Sequence, residues 1–506
     1  MKNLYTPAES KIIDEVAINQ FKIPSEKLME RAGSEIYKTI KKYFKVIPKN
    51  ILIVCGKGNN GGDGLVVARK LIEDGFTPKI FLTENISDCS NDLKAQFKKI
   101  NKKHLIEEND FFKIQKSDLI IDAIFGVSFS GNLNIKYQKI INKINNINSK
   151  VVSIDIPSGL NAVIGKASPV SVRSFLTTQI ELPKVGLYIN ESKDLVGKLE
   201  TVKIGIPENA KKKVKSNYLL IDKNFIKINL PARKNISHKY SVGKIFALCA
   251  SRGLTGASIL ATSSAMRSGA GAVILGIPET EFEIVAKRTL EVMPFPLGST
   301  KQGSLSLKSY PKIIEKLKWC DVLLIGPGLS QNKETQKLIR KIISNFSGKI
   351  LIDADGINAF VENLKILEKK ENREIIITPH IGEFSRLIKK STTEILINQI
   401  ELSKSFVKKY RLTLVLKSSS TIIADKNGNI FVNPFGNSGM ATAGSGDCLS
   451  GIISSLWAQG GSEINSAICG VGLHSISGDI AKKKKGEFSI IAEDLIHYLP
   501  NAFKNL

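Results

Sequence analysis

The chain has 506 residues, of which 42% are hydrophobic and 24% charged. That composition excludes a largely disordered protein, and the length calls for two or three cores rather than one. Its 73 Lys+Arg against 47 Asp+Glu give a formal net charge of +26, which first suggests an acidic polymer as partner.

The distribution argues otherwise. Residues 1–220 carry +12 and the remainder +14, so no basic tail exists, and only 11 of the basic residues are Arg. Recognition of bases and phosphates favours the planar Arg fork, so the charge reads as Lys-rich solvated surface and no nucleic-acid partner is expected. Six cysteines at 55, 89, 249, 320, 448 and 469 show no CxxC spacing and read as reduced thiols. The first ten residues lack a signal-peptide core, and no apolar run approaches the roughly 18 residues of a membrane span. A cytoplasmic protein with no membrane partner is expected.

Taken in order, 11–18 and 25–40 read as helices broken at Pro24. Short β-branched runs at 51–55, 79–82, 119–123, 151–156 and 199–204 then alternate with amphipathic stretches such as 65–74 and 92–99. A second series of strands runs 244–250, 272–276, 322–325, 350–352, 374–378, 412–416, 421–424 and 430–432. Alternation of this kind indicates α/β layering around mostly parallel sheets. Between the series, Pro207 and a Lys cluster interrupt all periodicity, which places the domain boundary near residue 220: one domain over 1–220 and another over 221–506.

In the first domain, Gly56-Lys57-Gly58-Asn59-Asn60-Gly61-Gly62-Asp63-Gly64 follows a strand and opens a helix. Glycines there let a backbone approach a ligand, and the free N–H groups of a helix start attract anions. Asn59, Asn60 and Asp63 add hard oxygen atoms suited to a cation or to sugar hydroxyls, although Asp63 alone could equally cap the helix. The strand ends Asp122-Ala123-Ile124-Phe125-Gly126 and Asp155-Ile156-Pro157-Ser158-Gly159 have the same polar character. In a doubly wound sheet such ends converge on one crevice. In the second domain, Gly436-Asn437-Ser438-Gly439-Met440-Ala441-Thr442-Ala443-Gly444-Ser445-Gly446-Asp447 precedes an apolar helix at 448–457. Its amides and dipole suit a phosphoryl group, and Asp447 beside them can take a proton from an attacking hydroxyl.

These residues carry a resemblance. The glycine loop, the two strand ends, Met29-Glu30-Arg31-Ala32-Gly33 and Pro183-Lys184-Val185-Gly186 resemble the epimerase domain of bifunctional NAD(P)H-hydrate repair enzymes. The GNSGMATAGSGD segment resembles the ADP- or ATP-dependent NAD(P)H-hydrate dehydratases within the ribokinase-like superfold. So do Ser251–Ala257 taken as a segment, Gly326-Pro327-Gly328-Leu329, Asp353-Ala354-Asp355-Gly356 and Thr378-Pro379-His380-Ile381-Gly382-Glu383. The resemblance implies an N-terminal Rossmann-like three-layer α/β domain followed by a ribokinase-like α/β domain, an isomerase joined to a lyase.

For the epimerase it implies a hydrate pocket of Asn59, Asn60, Gly61, Gly62, Asp63, Gly126, Val127, Ser128, Phe129, Ser130, Gly131, Asn132, Tyr137 and Asp155. Asp155 is the acid/base candidate and Lys184 a second one. K+ would be held by Asn60, Asp122 and Ser158. For the dehydratase it implies hydrate contacts from Ala257, Gly328, His380 and Asp447. Nucleotide contacts would come from Lys417, Ser418, Ser419, Ser420, Thr421 and Gly446, with Mg2+ on the phosphates. The implied partners are NADH hydrate, NADPH hydrate and ADP (ATP possible), with AMP and phosphate as products, and the chain is expected to be a homo-oligomer.

Four departures stand out: Ala250 and Ser418 occupy positions where the family usually has Gly, and Phe435 and Ser438 stand where Thr and Pro are commoner. The competing readings are a hydroxymethyl-type small-molecule kinase with an accessory Rossmann-like domain, and a non-catalytic nucleotide or RNA binder. Only the repair reading uses both sets of motifs.

Overall fold

Two sheets dominate the computed structural model, which describes every residue of the chain except Ser130. The chain divides into two units. One is Asn3–Tyr218, and the other is Leu219–Leu506 together with Met1 and Lys2. The terminal ammonium explains that small exchange, since Met1 N lies 2.9 Å from Asp222 Oδ2. Two three-residue strands, β1 (Lys2–Leu4) and β8 (Tyr218–Leu220), fall at the points of division.

The first unit holds β2 (Ile51–Cys55), β3 (Lys79–Leu82), β4 (Lys116–Ala123), β5 (Asn148–Ile154), β6 (Leu176–Ile180) and β7 (Lys198–Val202). They form one parallel sheet in the order β3-β2-β4-β5-β6-β7. Alternation within β2 shows why it is central. Ile51, Ile53 and Cys55 pack with Ile36, Ile40 and Leu71 on one face, while Leu52 and Val54 pack with Ile140, Ile141 and Ile144 on the other. A strand buried on both faces reads as a continuous apolar run.

β6 was not anticipated, because Leu-Thr-Thr-Gln-Ile looks polar. Its polar atoms are buried but mostly bonded: Thr177 Oγ1 donates to Val196 O (2.8 Å), Thr178 Oγ1 to Ser153 O (3.2 Å) and Gln179 Nε2 to the Tyr188 hydroxyl (2.7 Å). The helix Asn59–Glu73 also begins six residues earlier than its apolar periodicity suggests. Its glycine-rich first turns are helical because they press against the sheet. A Cβ on Gly61 would lie 2.0 Å from the Gly56 carbonyl oxygen, and one on Gly64 2.6 Å from Ala123 Cβ.

The second unit contributes β9 (Lys244–Leu248), β10 (Ala272–Pro278), β11 (Met293–Leu297), β12 (Val322–Ile325), β13 (Lys349–Ile352), β14 (Glu374–Ile377), β15 (Thr413–Leu416), β16 (Ile422–Ala424) and β17 (Ile430–Val432). Their order is β17-β16-β15-β14-β13-β12-β9-β10-β11. Pairing is parallel from β11 through β15 and antiparallel from β15 to β17. β11, Met-Pro-Phe-Pro-Leu, was also missed. Proline removes ladder donors and is confined to sheet edges, and β11 is an edge of this order. On one face, Ile245, Ala247 and Cys249 join Leu449, Ile452, Ile453 and Trp457 in one apolar cluster. All six cysteines are free, and five are buried.

Ala250, directly after this central strand, has φ +73°, while its N–H donates to Pro327 O at 3.0 Å. A left-handed backbone costs an L-residue roughly 1–2 kcal/mol, so this departure from glycine is a strained one. Ser418 lies outside the left-handed region and carries no such cost. Ala250→Gly is therefore expected to stabilise the second unit by about 0.5–1 kcal/mol, after allowing for the freer unfolded chain. A denaturant midpoint of that unit's transition that stays put or falls would contradict this.

Candidate active sites

In the first unit, the C-terminal ends of β2, β4, β5 and β6 surround a cavity of about 520 Å3. Asp155 follows β5 with φ +64°, a strained conformation found where surroundings over-determine it. Its Oδ1 accepts from Lys184 Nζ (2.7 Å) and the Ile180 N–H (3.1 Å), and its Oδ2 from the Val127 N–H (3.2 Å). Lys184 also donates to Ile180 O (2.9 Å). Both side chains are almost wholly buried, 3% and 7% exposed. Removing one partner of such a pair strands a buried charge at a cost of about 3–5 kcal/mol.

Asn59, Asn60, Asp63, Gly126, Val127, Ser128 and Phe129 line the same cavity. Burial, reinforced by Asp155, Asp92 and Asp14, pushes the Asp63 carboxyl well above the usual carboxylate range. Asp63 thus faces the cavity with a raised affinity for its proton. Gly61 and Gly62 lie behind the lining, where they allow the close packing of the helix. Gly131, Asn132 and Tyr137 are not in the lining either. Tyr137 packs on Phe125 (ring centroids 4.6 Å) and donates to Glu84 Oε1 at 2.7 Å, so it supports the wall from outside. Ser130 lies outside the described residues.

Asp122 and Ser158 sit beneath this floor. The Asp122 carboxylate accepts from Ser158 Oγ (2.6 Å), Ser158 N (2.9 Å), Ser153 Oγ (2.7 Å) and Ile124 N (3.3 Å). Burial raises its proton affinity against those bonds. Phe125 ties the three candidate cation ligands together: its N–H donates to Ser158 Oγ and its carbonyl accepts from Asn60 Nδ2, both at 2.9 Å.

In the second unit the organising group is Asp353, directly after β13 and 1% exposed. Oδ1 accepts from Lys417 Nζ and Thr378 Oγ1, each at 2.7 Å, and Oδ2 from Ser450 Oγ. Burial opposes a charged Lys417, but Asp353 and Glu383 outweigh it and raise the ammonium's affinity for its proton. That ammonium lies against the first turn of the helix Ser445–Ala458; a Cβ on Gly446 would come within 3.2 Å of it. The helix is preceded by Gly444 at φ +86° with no capping side chain; Ser445 N donates to Thr442 O (3.3 Å), and the amides of Gly446 and Asp447 stay open to an anion. Asp447 stands in that turn. Burial and the charge of Asp353, offset in part by Lys417, push its carboxyl up to about 7.

His380 caps the helix Ile381–Ile388. Its Nδ1 accepts from the N–H groups of Gly382 (3.0 Å) and Glu383 (3.3 Å), which puts the ring proton on Nε2. Partial burial and Lys417 lower its pKa and keep it neutral, so it presents an N–H donor. Lys417 N donates to Pro379 O (2.8 Å), which holds the two side chains side by side. Ala257 and Gly328 are neighbours, with Ala257 Cβ 3.2 Å from the position of a Gly328 Cβ. Ser418, Ser419, Ser420 and Thr421 make the turn from β15 to β16, and the Ser420 hydroxyl is buried with no hydrogen-bond partner.

Asp353 was named only as part of a motif, although the rule used for Asp155, an acid directly after a buried strand, points to it equally well. Thr378 likewise stands only within a motif, while Ser450 offers no signal, since a hydroxyl among apolar neighbours reads as filler.

The family model described as NAD(P)H-hydrate dehydratase matches residues 245–501, and that described as YjeF-related protein N-terminus matches residues 25–186. The bifunctional NAD(P)H-hydrate repair enzyme of Moorella thermoacetica is 36% identical over 99% of this chain and 97% of its own length. The chain belongs to the bifunctional NAD(P)H-hydrate repair enzyme family. The repair enzyme of Escherichia coli K12 is 29% identical over 93% of this chain and 88% of its own. A solved ribokinase-like superfamily protein from Enterococcus faecalis V583 is 25% identical, covering 58% of this chain and 97% of that one, with a TM-score of 0.50. As a member of the repair family the chain is a bifunctional isomerase and lyase, and its second unit has the ribokinase-like fold.

A side-chain titration of Asp447 is expected to show a midpoint near 7. Lys417→Met, by removing a positive neighbour, should raise it; Asp353→Asn, by removing a negative one, should lower it. Shifts of the opposite sign would refute this electrostatic account.

Proposed function

We propose that residues 1–220 interconvert the R and S forms of NADH hydrate and NADPH hydrate, and that residues 221–506 dehydrate the S form to NAD(P)H. The second step consumes ADP, or ATP, and with ADP releases AMP and phosphate. The observation that carries the reading is Asp447. It is a carboxylate of near-neutral proton affinity, in the open first turn of a glycine-led helix and near Lys417. A small-molecule kinase would need that constellation alone and would leave the Asp155–Lys184 cavity without a task.

In the epimerase, Asp155 takes the proton of the C6 hydroxyl as the C6–N1 bond of the hydrated ring opens, leaving an aldehyde at C6 and the electron pair on N1. It returns that proton to the oxygen when N1 closes again on the other face of the carbonyl. Lys184 and the amides of Ile180 and Val127 fix the carboxylate for that exchange. In the dehydratase, Asp447 removes the proton from the ring hydroxyl, which attacks the terminal phosphoryl group of the nucleotide. The open amides and Lys417 hold that group. Phosphate then leaves C6 in place of the poorer leaving group hydroxide, pushed by the N1 electron pair, and passage of a C5 proton to the departing phosphate forms the C5=C6 bond and restores the dihydronicotinamide. His380 offers its Nε2 proton to the hydrate, while Ala257 and Gly328 give the ring a smooth wall.

A potassium ion fits the residues below the first site. Asp122 is fully buried with no cationic side chain paired to it among the described residues, and the Asn60 amide oxygen is left over once Nδ2 has bonded Phe125. Asn60, Asp122 and Ser158 would hold it, Asp122 through charge because donors already surround its oxygens. When bound, the ion supplies order to the strand-end loops rather than chemistry. Around Lys417, Asp353, Asp355, Glu383 and Asp447 leave the second site net negative. A polyphosphate would thus enter with Mg2+ as its counter-ion.

The same proposal places the protein in the cytoplasm, supported by six unpaired thiols. No helix among the described residues is long and apolar enough to cross a membrane. It also makes the protein a homo-oligomer, which would cover the exposed side chains of Phe488 and Ile491.

Incubation of the full chain with mixed NADH hydrates, with and without ADP, should recover NADH absorbance only with nucleotide. Asp447→Asn should lose at least a hundredfold in dehydration yet keep R/S interconversion, and Asp155→Asn should do the reverse. Dehydration at the normal rate by Asp447→Asn, or loss of both activities in Asp155→Asn, would overturn the assignment.

A further inference from the structure

The epimerase cavity has a wall that precedes the matched family region, which begins at residue 25. It is one face of the helix Pro7–Asn19. Ser10, Asp14 and Ile18, spaced by four, share that face and line the cavity together with Asp155 and Lys184. Ser10 is 3% exposed, and its hydroxyl has no hydrogen-bond partner. A buried hydroxyl left unpaired costs about 1–3 kcal/mol, and in a native protein it calls for something that completes it. The Asp14 carboxyl also makes no hydrogen bond among the described residues. Burial, countered by Lys184 and reinforced by Asp155 and Glu181, pushes it up to about 6.

We propose that Ser10 and Asp14 anchor the carboxamide of the hydrated nicotinamide ring. Ser10 donates its hydroxyl proton to the amide oxygen, and Asp14 accepts from the amide NH2. The inference rests on the epimerase reading. The carboxamide is carried on C3, across the six-membered ring from C6. A pocket whose Asp155 works at C6 must therefore find its contact for the far end of the ring on a different wall. The helix face supplies one donor and one acceptor, the complement of an amide's acceptor and donors. The Ser10 hydroxyl is otherwise unsatisfied there, the half-buried Asp14 carboxyl has no donor from the described residues, and Ile18 continues the face with an apolar surface for the ring. The two are positioning residues, and no proton transfer is assigned to them.

The test measures epimerisation of R-NADH hydrate by the full chain, with the two epimers separated by chromatography. Ser10→Ala and Asp14→Leu are each expected to raise KM about tenfold, as loss of one such bond implies, while kcat changes less than about threefold. Asp14→Asn should fall between, because its amide oxygen still accepts. ADP-dependent dehydration of the S hydrate by the same preparations should be unchanged, which also reports an intact second unit. Ser10→Ala removes a single oxygen and so tests the idea even should Asp14→Leu misfold. An unchanged KM in Ser10→Ala, or a loss of kcat without a change in KM, would overturn the proposal. Absence of epimerisation in the unmodified chain would instead overturn the epimerase reading beneath it.

Discussion

One buried carboxylate, Asp353, holds the second site together. It stands directly after β13 and receives the side chains that stand directly after β14 and next to β15, Thr378 and Lys417, together with Ser450 from the helix that carries Asp447. The three strands are adjacent and parallel, so a single charge draws their ends and the helix to one point. Burying that charge is tolerable only with a cation and hydrogen bonds to offset the loss of water. Lys417 is therefore the counter-charge that lets Asp353 exist there and, in the proposed dehydratase, also the cation that faces an incoming phosphoryl group. Stability and function are inseparable at that contact.

The first unit solves the same problem with different residues. Asp155, directly after β5, is bonded by the amide of Val127, which lies beyond β4, by the amide of Ile180 at the end of β6, and by Lys184. In both units a parallel sheet delivers side chains to one rim, and an acid–lysine pair fixes the loops there. The difference lies in which acid is free to act. In the proposed epimerase the pinned carboxylate is itself the proton carrier. In the second the pinned one tunes a neighbour, Asp447, whose proton affinity rises because Asp353 is close.

The strand runs and both glycine loops were legible in the sequence because their residues obey local rules: β-branched runs at buried strands, glycine where backbones approach. β6 and β11 were hidden because their fitness depends on tertiary context. Thr177 and Thr178 have acceptors waiting in the neighbouring chain segments, and the prolines of β11 are harmless only at an edge. Among site residues, Asn60, Asp63, Asp155, Lys184, Lys417, His380 and Asp447 could be named because each belongs to a dense polar motif at a strand or helix end. Ser10 and Asp14 could not. On a helix, a serine and an aspartate four apart describe a solvent face just as well as a ligand face, and only the cavity beside them decides which.

The cysteines lead somewhere less expected. Burial pushes the thiols of Cys55, Cys249, Cys448 and Cys469 upward, so almost none is ionised near neutral pH, and a thiolate is the reactive form. Cys55 ends β2 beneath the first site, and Cys249 follows β9 beneath the second. Each is thus silent to alkylating reagents while its sheet is closed and becomes visible when that sheet opens. The chain carries its own chemical record of local opening, one marker under each active site.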